Sequence, residues 1–404
     1  MDEVGAGRVR PGTELAAGIL EAGLYASDPH PLFAQLRAVA PVAWNEEHGF
    51  WAVTRHADVS AIGFDHETFC AGRGILVEEI GVTYETPPTM MHTDPPAHTR
   101  YRRLVQPGFK PSVVRALEPA IRTRARVLVD GLDGGETIDI VQRLSVPLPL
   151  QVISEIMGLP VEDWERFYQW SEAVIPGATD WPEERRNQLQ GEMITFLLDL
   201  TKERRTHPRS DVLTELAQAQ VDGDQLSEAE LAMFLVQLLV AGNETTRNLL
   251  SGGLVALAEN PGQWQKMADD RTLLPTAVEE MLRWTTPVVS FMRTATRDTE
   301  LSGVAISEGE PVLMVYASAN RDEAVFGPTA GSFDVSRHPN PHIAFGFGNH
   351  FCLGASLARL EARIVFEELL DRFDDVTPAG DVERSGSSVI AGVRRAELTF
   401  SRSV

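Results

Sequence analysis

Phe345-Gly346-Phe347-Gly348-Asn349-His350-Phe351-Cys352-Leu353-Gly354 runs directly into a stretch where Leu357, Leu360, Ile364, Phe366, Leu369 and Leu370 recur at helical steps. The spacing predicts a helix over about 353–373, entered through a glycine-rich loop that ends on a cysteine. Two glycines two residues apart let the backbone take positive φ and approach a flat ligand closely. A cysteine at a helix N-terminus meets exposed amides and the positive end of the dipole. Both favour a thiolate over a thiol whose free pKa is about 8.5. A metal ion on that sulfur would remove the proton outright, and amides donating to it would tune its electron donation. The competing reading of a lone cysteine after such a turn is a buried structural residue.

Composition narrows the setting. The 404 residues are 43% hydrophobic and 23% charged, enough for a large core and against disorder. The net charge of −22, from 36 Lys and Arg against 58 Asp and Glu, disfavours nucleic acid as a partner. Cys70 and Cys352 are too few for a disulfide framework, which points to a reducing, cytoplasmic location. Residues 1–30 read as a leader without the apolar run of a signal peptide. The apolar stretch at 231–240 is too short to span a bilayer and is interrupted by Gln237. One cofactor-centred domain over 1–404 is expected.

Outward from the loop, the chain reads as punctuated helices with little sheet. A short helix over 31–40 precedes a hairpin formed by 42–44 and 50–54. Residues 112–158 read as helical, broken at Asp133-Gly134-Gly135 and by Pro147 and Pro149. Residues 160–206 read as lid helices interrupted at Pro176-Gly177. Ser227-Glu228-Ala229-Glu230 matches a capping box and opens a long helix to about Ala258. A helix over 273–284 is followed by strands at 301–306 and 311–316.

The loop from Phe345 to Gly354 resembles the haem-binding signature of the cytochromes P450, with Phe345, both glycines, His350, Cys352 and Gly354 in place. The resemblance implies a mainly α fold with a small β-sheet region. Its haem b lies between a long oxygen-activating helix and the helix after the loop, with Cys352 as axial thiolate on the iron. Thiolate ligation favours O–O cleavage. Phe345, Gly346 and Ala241 would border the haem.

Companion motifs extend the resemblance. Glu280-Met281-Leu282-Arg283 is similar to the family's ExxR motif, and Arg337 stands where its partner is expected, implying a structural Glu-Arg-Arg cluster. Ala241-Gly242-Asn243-Glu244-Thr245-Thr246 resembles the acid-alcohol pair of the oxygen-activating helix, with Glu where many relatives carry Asp. Thr245 would reach back to the Ala241 carbonyl and loosen the helix, opening a groove for dioxygen and water, while Glu244 feeds protons inward. His98 and Arg102, with Arg293 and His350, match positions that hold haem propionates by charge-assisted hydrogen bonds.

The resemblance also implies a pocket lined by Ile75, Leu76 and Val77, by Phe234, Leu238, Val240 and Ala241, by Val288, Val289, Ser290 and Phe291, and by Val389, Ile390 and Ala391. These are overwhelmingly apolar, so a hydrophobic small molecule is expected: a steroid, terpenoid, fatty acid or other secondary metabolite. The expected activity is a monooxygenase that uses O2, with electrons passing from NAD(P)H through a separate ferredoxin reductase and ferredoxin. Arg102, Arg103, Arg359 and Arg363 are expected to form a basic patch for the acidic ferredoxin. A peroxide-driven peroxygenase would not need the Glu244-Thr245 pair, nor would a non-catalytic haem sensor or carrier.

Overall fold

The computed structural model describes residues 10–82, 89–132, 134–175, 179, 181–209, 211–221 and 223–402. Asp133, Pro176, Gly177 and the first nine residues of the leader lie outside them.

Helix α1 (His30–Val39) leads into a hairpin of β1 (Val42–Asn45) and β2 (Phe50–Val53), paired so that Trp44 faces Trp51. All eight strand residues are buried, so the hairpin is covered on both faces. Helix α2 (His56–Phe64) and strand β3 (Phe69–Cys70) follow, then α3 (Ala97–Val105) and α4 (Glu118–Asp130).

The segment read as helix over 112–158 contains a strand, β4 (Thr137–Asp139), because its backbone pairs with a distant C-terminal strand. Pro147 does not break a helix there. It occupies the first turn of α5 (Pro147–Ile156), where a missing amide hydrogen costs nothing. Helices α6 (Trp164–Val174) and α7 (Glu183–Thr206) come next, then the 32-residue α8 (Glu228–Glu259). The Ser227 hydroxyl accepts from the Glu230 amide at 3.1 Å while Glu230 accepts from the Ser227 amide at 2.7 Å. Such a cap stabilises the start by about 1 kcal/mol.

Helix α9 (Leu274–Thr285) leads to β5 (Ser290–Ala295). Residues 301–306, expected as one strand, belong instead to a hairpin of β6 (Thr299–Leu301) and β7 (Val304–Ile306). Ser302 and Gly303 turn it with φ of 47° and 79°. A serine in a position that usually takes Asn or Gly hid the turn. Strand β8 (Pro311–Val315) completes a five-stranded sheet in the order β1-β2-β8-β5-β3, parallel only between β2 and β8. After the cysteine loop come α10 (Ala355–Leu370), β9 (Asp375–Arg384) and β10 (Val393–Ser401), with β4-β10-β9 forming a second sheet.

The main core gathers leucines of α8 with α5, α6, α9 and α10. Each fully buried leucine stabilises by roughly 2 kcal/mol. Gly242 is in α8 because a Cβ there would lie 2.5 Å from Ile153 of α5. Close helix packing, not a groove, explains that glycine. Helix α8 runs continuously through Thr245, whose hydroxyl donates to the Ala241 carbonyl at 2.7 Å as the sequence pattern predicts.

Candidate active site

Gly346 and Gly348 carry φ of 67° and 54°, the left-handed backbone the sequence pattern called for. A Cβ on Gly348 would come within 2.8 Å of the Gly63 carbonyl, so the loop is wedged against α2. The Cys352 amide donates to the Phe345 carbonyl at 2.9 Å, closing the loop on itself. Helix α10 begins at Ala355, three residues past the cysteine. Burial pushes the Cys352 thiol up, against the pull of the Gly354 and Ala355 amides, Arg102 and Arg359. The helix start therefore does not make the thiolate by itself.

Beneath the loop, Glu280 is fully buried and saturated with donors. Arg283 grips it bidentately at 2.7 Å on each oxygen. Arg337 at 3.1 Å, Asn340 at 3.1 Å and the Asp334 amide at 2.9 Å complete the set. Arg283 also donates to the carbonyls of Asn320, Ala330 and Ser332. A buried ion pair survives desolvation only with this degree of hydrogen bonding. The cluster ties α9 to the segment that enters the cysteine loop.

Four cationic or ring side chains meet beside the cysteine. The rings of His98 and His350 lie 4.3 Å apart, and Arg102 and Arg293 act on both imidazoles. Burial first, then Arg293, His98 and Arg102, press His350 down to about 3. Arg102 donates to the Phe351 carbonyl at 2.8 Å and Arg293 to the Met292 carbonyl at 2.6 Å. The Nε2 atoms of both histidines are buried without a partner. Asp94 is nearby, but its oxygens accept the Ala71 and Gly72 amides at 2.8 Å.

Residues 135–399 match the family model described as Cytochrome P450. The chain belongs to the cytochrome P450 family. It is 35% identical to Steroid C26-monooxygenase of Mycolicibacterium smegmatis over 91% of this chain and 90% of that one. Linalool 8-monooxygenase of Pseudomonas putida is 37% identical over 92% and 95%. Among solved structures, Mycobacterium marinum cytochrome P450 CYP268A2 in complex with pseudoionone superposes with a TM-score of 0.87 at 36% identity, covering 98% of this chain and all of that one.

The family carries haem ligated by a cysteine thiolate, and the site of this cytochrome P450 suits such a group. Two orphaned ring nitrogens and two arginines, with no free carboxylate of their own, form a setting for the carboxylates of a porphyrin. Phe345 is half-buried under the Arg359 guanidinium, 4.4 Å from its ring centre, and Ala241 is exposed on α8.

Glu244 departs from expectation. Its buried carboxyl is paired with Arg247 and accepts from Asn243 at 2.9 Å, and Arg247 in turn binds Glu172 of α6 at 2.9 Å. Burial, reinforced by Glu172 and only partly offset by Arg247, raises Glu244 to about 8. It lines a cavity of about 230 Å³ with Tyr168, Ser387 and Ile390, on a different side of α8 from Thr245.

Several expected pocket residues do come together. The Met292 amide donates to the Ile75 carbonyl at 2.8 Å, and Val288 bridges Ile390. Leu76, Val77, Val240, Val288, Phe291 and Ile390 are half-buried, and Ile75 is buried. Val289 is corrected: it packs in a core with Phe33 and Leu313, against which the half-buried Val77 and Ala391 also pack, whereas Val288 and Phe291 pack against a different core. Leu238 and Phe234 likewise lie in the main core. Between its first turn and Thr245, α8 leaves Met233, Val236, Gln237, Val240, Ala241, Gly242 and Thr245 open. Sequence reasoning also missed Glu79, whose buried carboxylate accepts from the Ile75 amide at 2.7 Å, the Leu76 amide at 3.1 Å and His92 at 3.0 Å. An acid two residues past an apolar triplet gave no signal of that clasp.

The expected basic patch is largely neutralised. Arg359 is bound to Glu279 at 2.7 Å and Arg363 to Glu118 and Glu367, while Arg102 is half-buried. Lys110 and Arg115 are exposed and carry no ion pair among the described residues.

Proposed function

We propose that this cytochrome P450 monooxygenase inserts one atom of dioxygen into a hydrophobic small molecule of terpenoid or steroid type, with electrons passed from NAD(P)H by a separate ferredoxin reductase and ferredoxin. The observation that carries the reading is the meeting of Arg102 with Cys352 and of His98, Arg102 and Arg293 with His350 beside it, in a chain of a family whose haem is held by a cysteine thiolate. Its relatives act on a steroid and on linalool, which supports the substrate class.

Haem, when bound, supplies an iron at which dioxygen is activated with electron donation from the thiolate. Cys352 would hold the metal, with the Gly354 and Ala355 amides hydrogen-bonding the sulfur. His98, Arg102, Arg293 and His350 would hold the propionates, and Phe345, Gly346 and Ala241 would border the ring. Thr245 donates its hydroxyl hydrogen bond to the Ala241 carbonyl, leaving its oxygen free to accept from a water or another protonated oxygen. Glu244 holds a proton on its carboxyl at neutral pH, beside the cavity it lines with Tyr168 and Ser387, and serves as the proton donor of the site. Ile75, Leu76, Val77, Val240, Val288, Phe291 and Ile390 exclude water around the substrate. Glu280, Arg283 and Arg337 brace the loop. The whole chain acts as one domain, with α6 and α7 as its lid. A groove of about 300 Å³ lined by Val114, Arg115, Val278 and Leu360 receives the ferredoxin, with Lys110 beside it in sequence.

No helix among the described residues is long and apolar enough to cross a membrane. The test is turnover of a ligand found by its haem spin-state shift. NADPH, reductase and ferredoxin should yield product carrying one labelled atom from dioxygen. Product from peroxide alone, with none from the ferredoxin chain, would contradict the reading.

A further inference from the structure

Gln237 interrupts the apolar run of α8 at a position that remains open, one turn before Ala241 and two before Thr245 on the same stripe of the helix. Its neighbours Phe234, Leu235, Leu238 and Leu239 are buried in the core. The side-chain Oε1 is buried and has no hydrogen-bond partner among the described residues. An amide oxygen left unpaired in that state costs about 1–3 kcal/mol.

We propose that Gln237 is a specificity-determining residue that binds a hydroxyl group of the substrate, at the end remote from the carbon that is oxidised. The proposal rests on reading the open face of α8 as a wall of the substrate pocket. Eight residues of helix separate Gln237 from Thr245, a distance of about 12 Å along the axis, the length of a steroid nucleus or an extended chain of about ten carbons. A hydroxyl both donates and accepts, so it satisfies the carboxamide whichever way the amide is turned. A carboxylate would have to shed its water against a neutral amide and leucines, on a stripe that holds no cation. A pure hydrocarbon would leave Oε1 unpaired.

The holoenzyme can be titrated with N-decylimidazole and its ω-hydroxyl and ω-carboxyl counterparts, which ligate haem iron through the ring nitrogen and report binding by the change in spectrum. The wild-type protein should hold the hydroxyl probe well above the carboxyl probe. Gln237→Leu, close in volume and a good helix former, should weaken the hydroxyl probe about tenfold relative to the methyl-ended one, which itself binds equally or more tightly. Gln237→Asn should keep part of the preference. A hydroxyl-to-methyl affinity ratio identical in wild type and Gln237→Leu overturns the proposal, as does a wild-type preference for the carboxyl probe. Absence of any spectral change with all three probes overturns the proposal; joined to the absence of the thiolate band in the carbon-monoxide difference spectrum it is a different failure, which removes the haem-thiolate reading itself.

Discussion

Glu244 and Thr245 are adjacent in sequence but about 100° apart around α8, and that angle separates their environments. Thr245 turns its hydroxyl onto the Ala241 carbonyl, while the Glu244 carboxyl is drawn into the Arg247 and Glu172 cluster against α6. Both residues were legible in the sequence as a pair. The cluster was not, because Glu172 comes from a helix 72 residues earlier and only packing brings it there. Burial favours the neutral carboxyl, so Glu244 should carry its proton below pH of about 8 and lose it above. Turnover limited by that proton should fall as pH rises through that value. Glu244→Gln should lower kcat by about a hundredfold and abolish the alkaline limb, as measured by NADPH-driven product formation against pH. An unchanged alkaline limb would assign the titration elsewhere.

At the level of elements, periodicity and caps located the long helices well. The Ser227 capping box, the tryptophan hairpin and the glycine loop were each visible because a short local pattern fixes the backbone. Strand β4 and the β6/β7 turn were not, since one depends on a partner far along the chain and the other turns on a serine. Val289 and Leu238 were placed in the pocket by resemblance to the family's pocket-lining segments, which does not distinguish a lining residue from a core residue within a segment. The Glu280 cluster joins elements that no local pattern connects. Removing its carboxylate leaves Arg283 buried without an acid and Arg337 largely so. Glu280→Ala should cost about 3–5 kcal/mol and yield protein that takes up little haem, read by thermal unfolding and by absorbance after reconstitution. A stable, fully pigmented variant would show that the loop does not depend on the brace.

Across the whole molecule, the charge of −22 coexists with a groove on the cysteine side lined by Arg115, with Lys110 beside it in sequence, and neither cation carries an ion pair among the described residues. Arg359 and Arg363 are already neutralised by carboxylates. Ferredoxin-dependent reduction should therefore weaken with salt, and the double reversal Lys110→Glu with Arg115→Glu should raise the KM for ferredoxin about tenfold and flatten the salt dependence. Unaltered kinetics would move the docking site off this face. All of these expectations presuppose a single bond from the Cys352 sulfur to iron. The direct measurement is the carbon-monoxide difference spectrum of the reduced, haem-loaded protein beside that of Cys352→Ser. The wild type should show the red-shifted band of thiolate-ligated haem and the serine variant should lack it; the same band in both proteins would contradict the account.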